Sequence, residues 1–198
     1  MEFVKRMLYF RSVQDGNVHI GLTKGPEDLG QYLIRNGLVI GFQNFLRENA
    51  ALDLDLSVVE IPQMPSVLVQ KFKNKPIPLT SVASGGINVL ELYYYWRQSF
   101  EKISFVFIDE FDAFYHYELA ENILRDILNV RNAQTVLTTH NTGLIKNELM
   151  RPDCYLQIEE GKIRSFSEST GRELREGHNL EKMLRKGEFD EGDSTAHH

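Results

Sequence analysis

Two stretches of the sequence read as strands that end in chemically loaded residues: "FVFIDE" at 105–110, apolar until its acids, and "TVLTTHN" at 135–141, with Val136 and Leu137 among β-favouring threonines before His140. Runs of this kind suit strands buried on both faces. Each is preceded by an amphipathic helical pattern, from about Gly86 to Phe100 and from about Tyr117 to Asn129. Helix and strand in alternation predict an α/β fold with a mainly parallel sheet flanked by helices. A short helix near 142–149 and the strands "CYLQIEE" and "KIRSFS" continue the pattern.

The first 83 residues read differently, as a β-rich segment with a helical insert. Residues 3–23 alternate around Asp15-Gly16, a hairpin turn signal. Helices are expected from Pro26–Asp28 onward and, past Gly37, over "LVIGFQNFLREN". "LDLSVVEI" and "SVLVQKF" read as strands, and "KNKP" reads as a turn leading into "IPLTSV". The expected organisation is therefore 1–83, a second segment over 84–187, and a tail of 188–198 without apolar periodicity.

In open α/β sheets, ligands gather at the carboxyl ends of the strands. Asp109 and Glu110 stand at one such end and His140 at another. Neighbouring strand residues point to opposite faces, so one acid can hold Mg²⁺ through water while the other orients or deprotonates an attacking water. The bland reading is a strand that ends in solvated acids. Ser84-Gly85-Gly86 opens an apolar helix, where a hydroxyl, close backbone N–H groups and the helix dipole favour a phosphate; an ordinary loop and cap have the same composition. "YYYW" at 93–96 is read as core packing rather than a base-stacking surface, and His116 as either a site residue or a surface histidine at a helix start.

Taken in order, "ASGGI", "FVFIDE" and "LTTHN" resemble the signature sequence, Walker B strand and switch histidine in the second half of an ABC-class ATPase domain. More narrowly, the chain looks like the AAA-family ATPases with this core, the overcoming-lysogenization-defect-like and SMC-like group. Glu110, Asp112 and His116 match that family's continuation, although Tyr117 replaces its proline and Ile87 departs from the transporter signature. "GHNLEKMLRKGEF" resembles its closing segment, so the likeness runs over roughly 50–190. The resemblance implies an ABC-type ATPase portion over 84–187. It gives Asp109 to Mg²⁺, Glu110 to the hydrolytic water and His140 to the γ-phosphate. Ser84, Gly85 and Gly86 would then cap ATP held by a second protomer in a head-to-tail dimer.

The family's P-loop, G-x-x-x-x-G-K-[ST], is missing. In "GNVHIGLT", Gly16, Gly21 and Thr23 have the spacing, but Leu22 occupies the lysine position and the stretch alternates as a strand does. The expectation is a polypeptide that needs a P-loop from a missing N-terminal half or a partner and is inactive alone. Two alternatives stay open: a Mg²⁺-dependent nuclease or phosphatase built on Asp109, Glu110 and Asp112, and a non-catalytic module that completes a partner's ATPase site. The net charge of −6 argues against general nucleic-acid binding, though a local basic patch or a nucleic-acid substrate of a fuller protein stays open. One cysteine, Cys154, excludes an internal disulfide, and no apolar run approaches the about 18 residues of a membrane span, so a cytoplasmic protein without membrane contact is expected.

Overall fold

The computed structural model describes residues 2–11, 19–20, 23–24, 28–98, 102–159 and 161–190. They divide into two compact units, Met1–Thr139 and His140–His198.

The first unit starts with a helical turn, α1 (Glu2–Lys5), where a strand was expected. The carbonyl of Phe3 accepts from the Ser104 hydroxyl at 2.9 Å, which ties this turn to distant chain. β1 (Met7–Arg11) follows, paired antiparallel with β2 (His19–Ile20), which pairs with β3 (Thr23–Lys24). The expected Asp15-Gly16 turn lies outside the described residues. So do most of residues 16–23, of which only His19, Ile20 and Thr23 are described, all as strand.

Asp28 caps α2 (Leu29–Arg35), its carboxylate accepting from Gln31 N at 2.9 Å. After Gly37 (φ +66°), α3 (Val39–Ala50) buries Val39, Phe42, Leu46 and Ala50 along one face, the spacing of an amphipathic helix. Three antiparallel strands come next: β4 (Leu56–Val59), β5 (Val67–Phe72) and β6 (Lys75–Pro78). "IPLTSV" divides between the end of β6 and a helical turn. Pro78 has no N–H to extend the ladder, and the chain turns there into the short helix α4 (Leu79–Val82), with Leu79 buried.

α5 (Gly85–Arg97), β7 (Phe105–Asp109), α6 (Tyr117–Leu128) and β8 (Gln134–Leu137) follow in the expected alternation. β7 is the hub of the main sheet, whose order is β3-β2-β1-β7-β8. β1, β7 and β8 run parallel, and only β2 and β3 are antiparallel. The N-terminal strand β1 thus shares a sheet with the two site-bearing strands. Val106 and Ile108, on one face of β7, are fully buried, while Phe105, Phe107 and Asp109 on the other face are only partly covered, so the strand is less fully enclosed than its apolar run suggests. "YYYW" is core: Tyr93 and Trp96 are buried, Phe42 and Phe45 of α3 lie against Tyr94, and Tyr32 meets Tyr95 edge-on at 4.6 Å. Such ring pairs add about 0.5–1.5 kcal/mol each beyond the area they bury.

In the second unit, β9 (Leu156–Glu159) and β10 (Lys162–Ser165) form an antiparallel hairpin, and α7 (Leu180–Arg185) is capped by Asn179. Tyr155, Phe166, Leu180, Met183 and Phe189 make its core. Phe189 belongs to the stretch expected as a tail; residues 191–198 lie outside the described residues. The helix expected over 142–149 is only a 3-10 turn, Thr142–Leu144. The Tyr155 hydroxyl explains the difference: it accepts from Lys146 N at 3.0 Å and lies against the carbonyls of Leu144 and Lys146, occupying groups a helix would pair. No helix among the described residues is long and apolar enough to cross a membrane.

Candidate active site

The parallel ladder between β7 and β8 does not stop at the strand ends. Thr138 N donates to Ile108 O at 3.0 Å, and Phe111 N donates to Thr138 O at 3.1 Å. Thr138 is therefore held level with Asp109 and Glu110, and its hydroxyl bridges them. Glu110 N–H donates to Thr138 Oγ1 at 2.7 Å, and Thr138 Oγ1 donates to Asp109 Oδ1 at 2.6 Å. One hydroxyl thus satisfies a backbone donor and pins a carboxylate.

Glu110 has φ +50°, the left-handed region that a non-glycine residue enters at a cost of about 1–2 kcal/mol. Its surroundings over-determine that conformation. Phe111 is buried beside it, Ala113 N donates to Glu110 O, and Tyr115 N donates to Asp112 O. Thr139 Oγ1 donates to Asp112 Oδ2 at 2.8 Å, so the third acid is engaged on its own hydroxyl. The turn ends where His116 caps α6, its Nδ1 accepting from Leu119 N at 3.2 Å; this histidine serves the helix. Burial, and then the Asp112 carboxylate, push the Tyr115 phenol far above its ordinary range.

Ser84 caps α5, its hydroxyl accepting from Ile87 N at 3.4 Å, and Ser84 and Gly85 are exposed. The same 110–116 turn lies against this loop. A Cβ on Gly85 would come within 3.2 Å of the Phe114 ring, and one on Gly86 within 3.3 Å of the Phe114 carbonyl. The two glycines let the Glu110 turn approach closely, and a side chain at either would press on Phe114. Further along α5, the half-buried Glu91 carboxyl is pushed up to about 7, first by desolvation and then by Asp28.

The first unit therefore unites Asp109, Glu110 and Thr138 and sets Phe114 against Gly85 and Gly86. His140 is exposed and opens the second unit. Thr138 and Phe114 were not singled out in the sequence. The threonine pair in "TTH" was the available signal for the first, while nothing in the local pattern announces the second.

Over residues 9–146, from β1 past His140, the chain matches the family described as "AAA domain, putative AbiEii toxin, Type IV TA system". The chain belongs to this family. The AAA domain accounts for more than two thirds of its 198 residues and contains Ser84, Asp109, Glu110, Thr138 and His140. Membership assigns an ATPase-like, nucleotide-binding character at the level of the AAA family. No curated protein matches the chain.

The chemistry of this end of the AAA domain suits a hard divalent cation. Asp109 offers carboxylate oxygen at a strand end, and among the described residues no three His, Cys, Asp or Glu side chains form a metal cage. Mg²⁺ commonly takes one or two protein carboxylates and completes its shell with water and phosphate oxygens.

Proposed function

We propose that this AAA domain is the signature and Walker B portion of an ABC-type ATPase site, acting on ATP with Mg²⁺. The observation that carries the reading is the strained, over-determined Glu110 at the end of β7, tied through Thr138 to Asp109, with Phe114 of the same turn against Gly85 and Gly86. Asp109 would hold the Mg²⁺, which supplies charge neutralisation on the phosphates. Glu110 orients the attacking water and takes its proton. Ser84 Oγ and the N–H groups at the α5 N-terminus would hold the γ-phosphate of ATP carried by another protomer, and His140 would contact the γ-phosphate of its own site. The site is complete only in a head-to-tail dimer.

A P-loop lysine must come from elsewhere, a further segment or a partner, since the sequence has no G-x-x-x-x-G-K-[ST]. β8 stands at the end of the sheet order, and among the described residues no strand pairs with its outer edge. The nuclease or phosphatase alternative gains no support, because Asp112 is turned to Thr139 and no acidic metal cage exists among the described residues.

The test is calorimetric titration of the chain with ATP and Mg²⁺ beside Glu110→Gln, together with phosphate release. The chain alone is expected to release negligible phosphate and to gain turnover only with a P-loop-bearing polypeptide. Mg²⁺-dependent release by the chain alone, abolished in Glu110→Gln, would overturn the need for a second polypeptide.

A further inference from the structure

A stretch of the first unit departs from the chain's acidic balance. The protein carries 28 acidic against 22 basic side chains, yet residues 61–90 contain no Asp or Glu, and their only charged side chains are Lys71, Lys73 and Lys75. All three sit at one end of the β5–β6 hairpin. β4 stops pairing at Leu56↔Gln70, and Lys71 N makes the last bond across, to Asp55 O at 2.8 Å. Beyond that point the Lys71↔Pro76 and Phe72↔Lys75 pairs form a two-stranded ribbon, closed by Lys73 (φ +48°) and Asn74 (φ +63°). Positive φ at both central residues is what a type I′ hairpin turn demands. Every residue from Lys71 to Pro76 is exposed, and none of the three ammonium groups forms an ion pair with a described residue.

An aromatic ring stands in the middle of this charge. Phe72 is 57% exposed, and Lys73 Nζ lies 5.6 Å from its ring centroid. Lysines alone at a hairpin tip are ordinary protection against edge-to-edge pairing. An exposed phenylalanine works against that purpose. Clustered ammonium groups around an exposed ring, one of them lying over it, are the combination that receives a phosphodiester backbone and, once the flexible Lys73 side chain turns to a phosphate, stacks an unpaired base.

We propose that the β5–β6 hairpin tip binds single-stranded nucleic acid, Lys71, Lys73 and Lys75 contacting phosphates and Phe72 stacking a base. The inference does not rest on the ATPase reading, and its test needs no nucleotide turnover.

Fluorescence anisotropy of the full chain with labelled 20-nucleotide single-stranded DNA and RNA, across a range of salt, is the measurement. Binding is expected, with a salt slope that falls by about 2 in Lys71→Gln/Lys73→Gln/Lys75→Gln, since each phosphate contact on a single strand contributes roughly 0.7. Phe72→Ala should weaken binding at least about fivefold and leave the slope unchanged. Because all four side chains are exposed, these variants should keep the wild-type circular dichroism and melting curve. No binding, variants that bind as the parent does, or equal affinity for duplex DNA or for anionic phospholipid vesicles would overturn the proposal. A preference between the DNA and RNA arms would identify the strand recognised.

Discussion

Of the places where the first unit puts non-glycine residues in the left-handed region, the Lys73-Asn74 turn and the Glu110 turn do so for different reasons. At Lys73-Asn74 the conformation belongs to the turn type. The hairpin requires positive φ twice, asparagine tolerates it, and no buried group holds the tip. At Glu110 no turn signal calls for it. There the conformation is imposed by Thr138 on one side, buried Phe111 on the other and a chain of turn hydrogen bonds after it. Strain that persists because its neighbours over-determine it clusters at functional positions, whereas strain inherent in a hairpin marks only geometry.

The largest effect should come from removing the carboxylate that the anchored turn presents. In an assembly that supplies a P-loop, Glu110→Gln is expected to lower ATP turnover about 100-fold or more while ATP still binds, as read by phosphate release and calorimetry together. Equal losses of binding and turnover would mean that the strain serves folding alone.

The next test breaks the anchor itself. Thr138→Ala leaves Glu110 N–H and Asp109 Oδ1 without their shared partner and should cost about 1–3 kcal/mol in urea unfolding. Thr139→Ala removes an exposed hydroxyl bond to Asp112 and should cost about 0.5–1 kcal/mol. If the two losses were equal, Thr138 would be no anchor.

A pH series extends the comparison into the core of the anchored region. Glu91 has its folded pKa raised to about 7, so the folded chain holds the proton more tightly than the unfolded chain does. Stability should therefore fall as pH rises from about 4.5 through 7, and Glu91→Gln should be relieved of that loss. The variant's advantage is expected to reach the order of 2 kcal/mol at pH 8 and to shrink toward pH 5. Denaturant midpoints at the two pH values decide it.

The smallest effect is the most discriminating. Glycine relieves a left-handed residue, so Lys73→Gly and Glu110→Gly should each gain up to about 1 kcal/mol of stability. Only the second should abolish turnover. A gain at Lys73 without one at Glu110 would show that the Glu110 side chain repays its own backbone strain through contacts.

Much of this architecture could be read from residue pattern. α5 and α6 fall within a few residues of the expected spans because apolar faces and N-terminal caps, Ser84 and His116, mark them locally. β7 and β8 were legible as strand-like runs, and Asp109, Glu110 and Ser84 as suitable residue types at element ends. What depends on distant partners was not. The parallel pairing of β1 with β7 joins residues nearly a hundred positions apart. The Thr138 bridge exists only through the register of β7 and β8, and the Phe114 contact only once two loops are folded. At Lys146 a helical pattern lost to a single tyrosine hydroxyl from nine residues downstream.

Asp126 also shapes how this region can move. Its Oδ2 accepts from Tyr93 Oη at 2.6 Å and from Arg97 Nε at 2.8 Å, fastening α6 to the far end of α5. The near ends of the same two helices are already in contact, since Phe114, just before α6, rests on Gly85 and Gly86 at the start of α5. Two struts joined at both ends make a closed frame, which resists shear where a single joint would pivot. A load applied to the serine-glycine end is then borne by the acidic turn as well, and the two behave as parts of one rigid bracket.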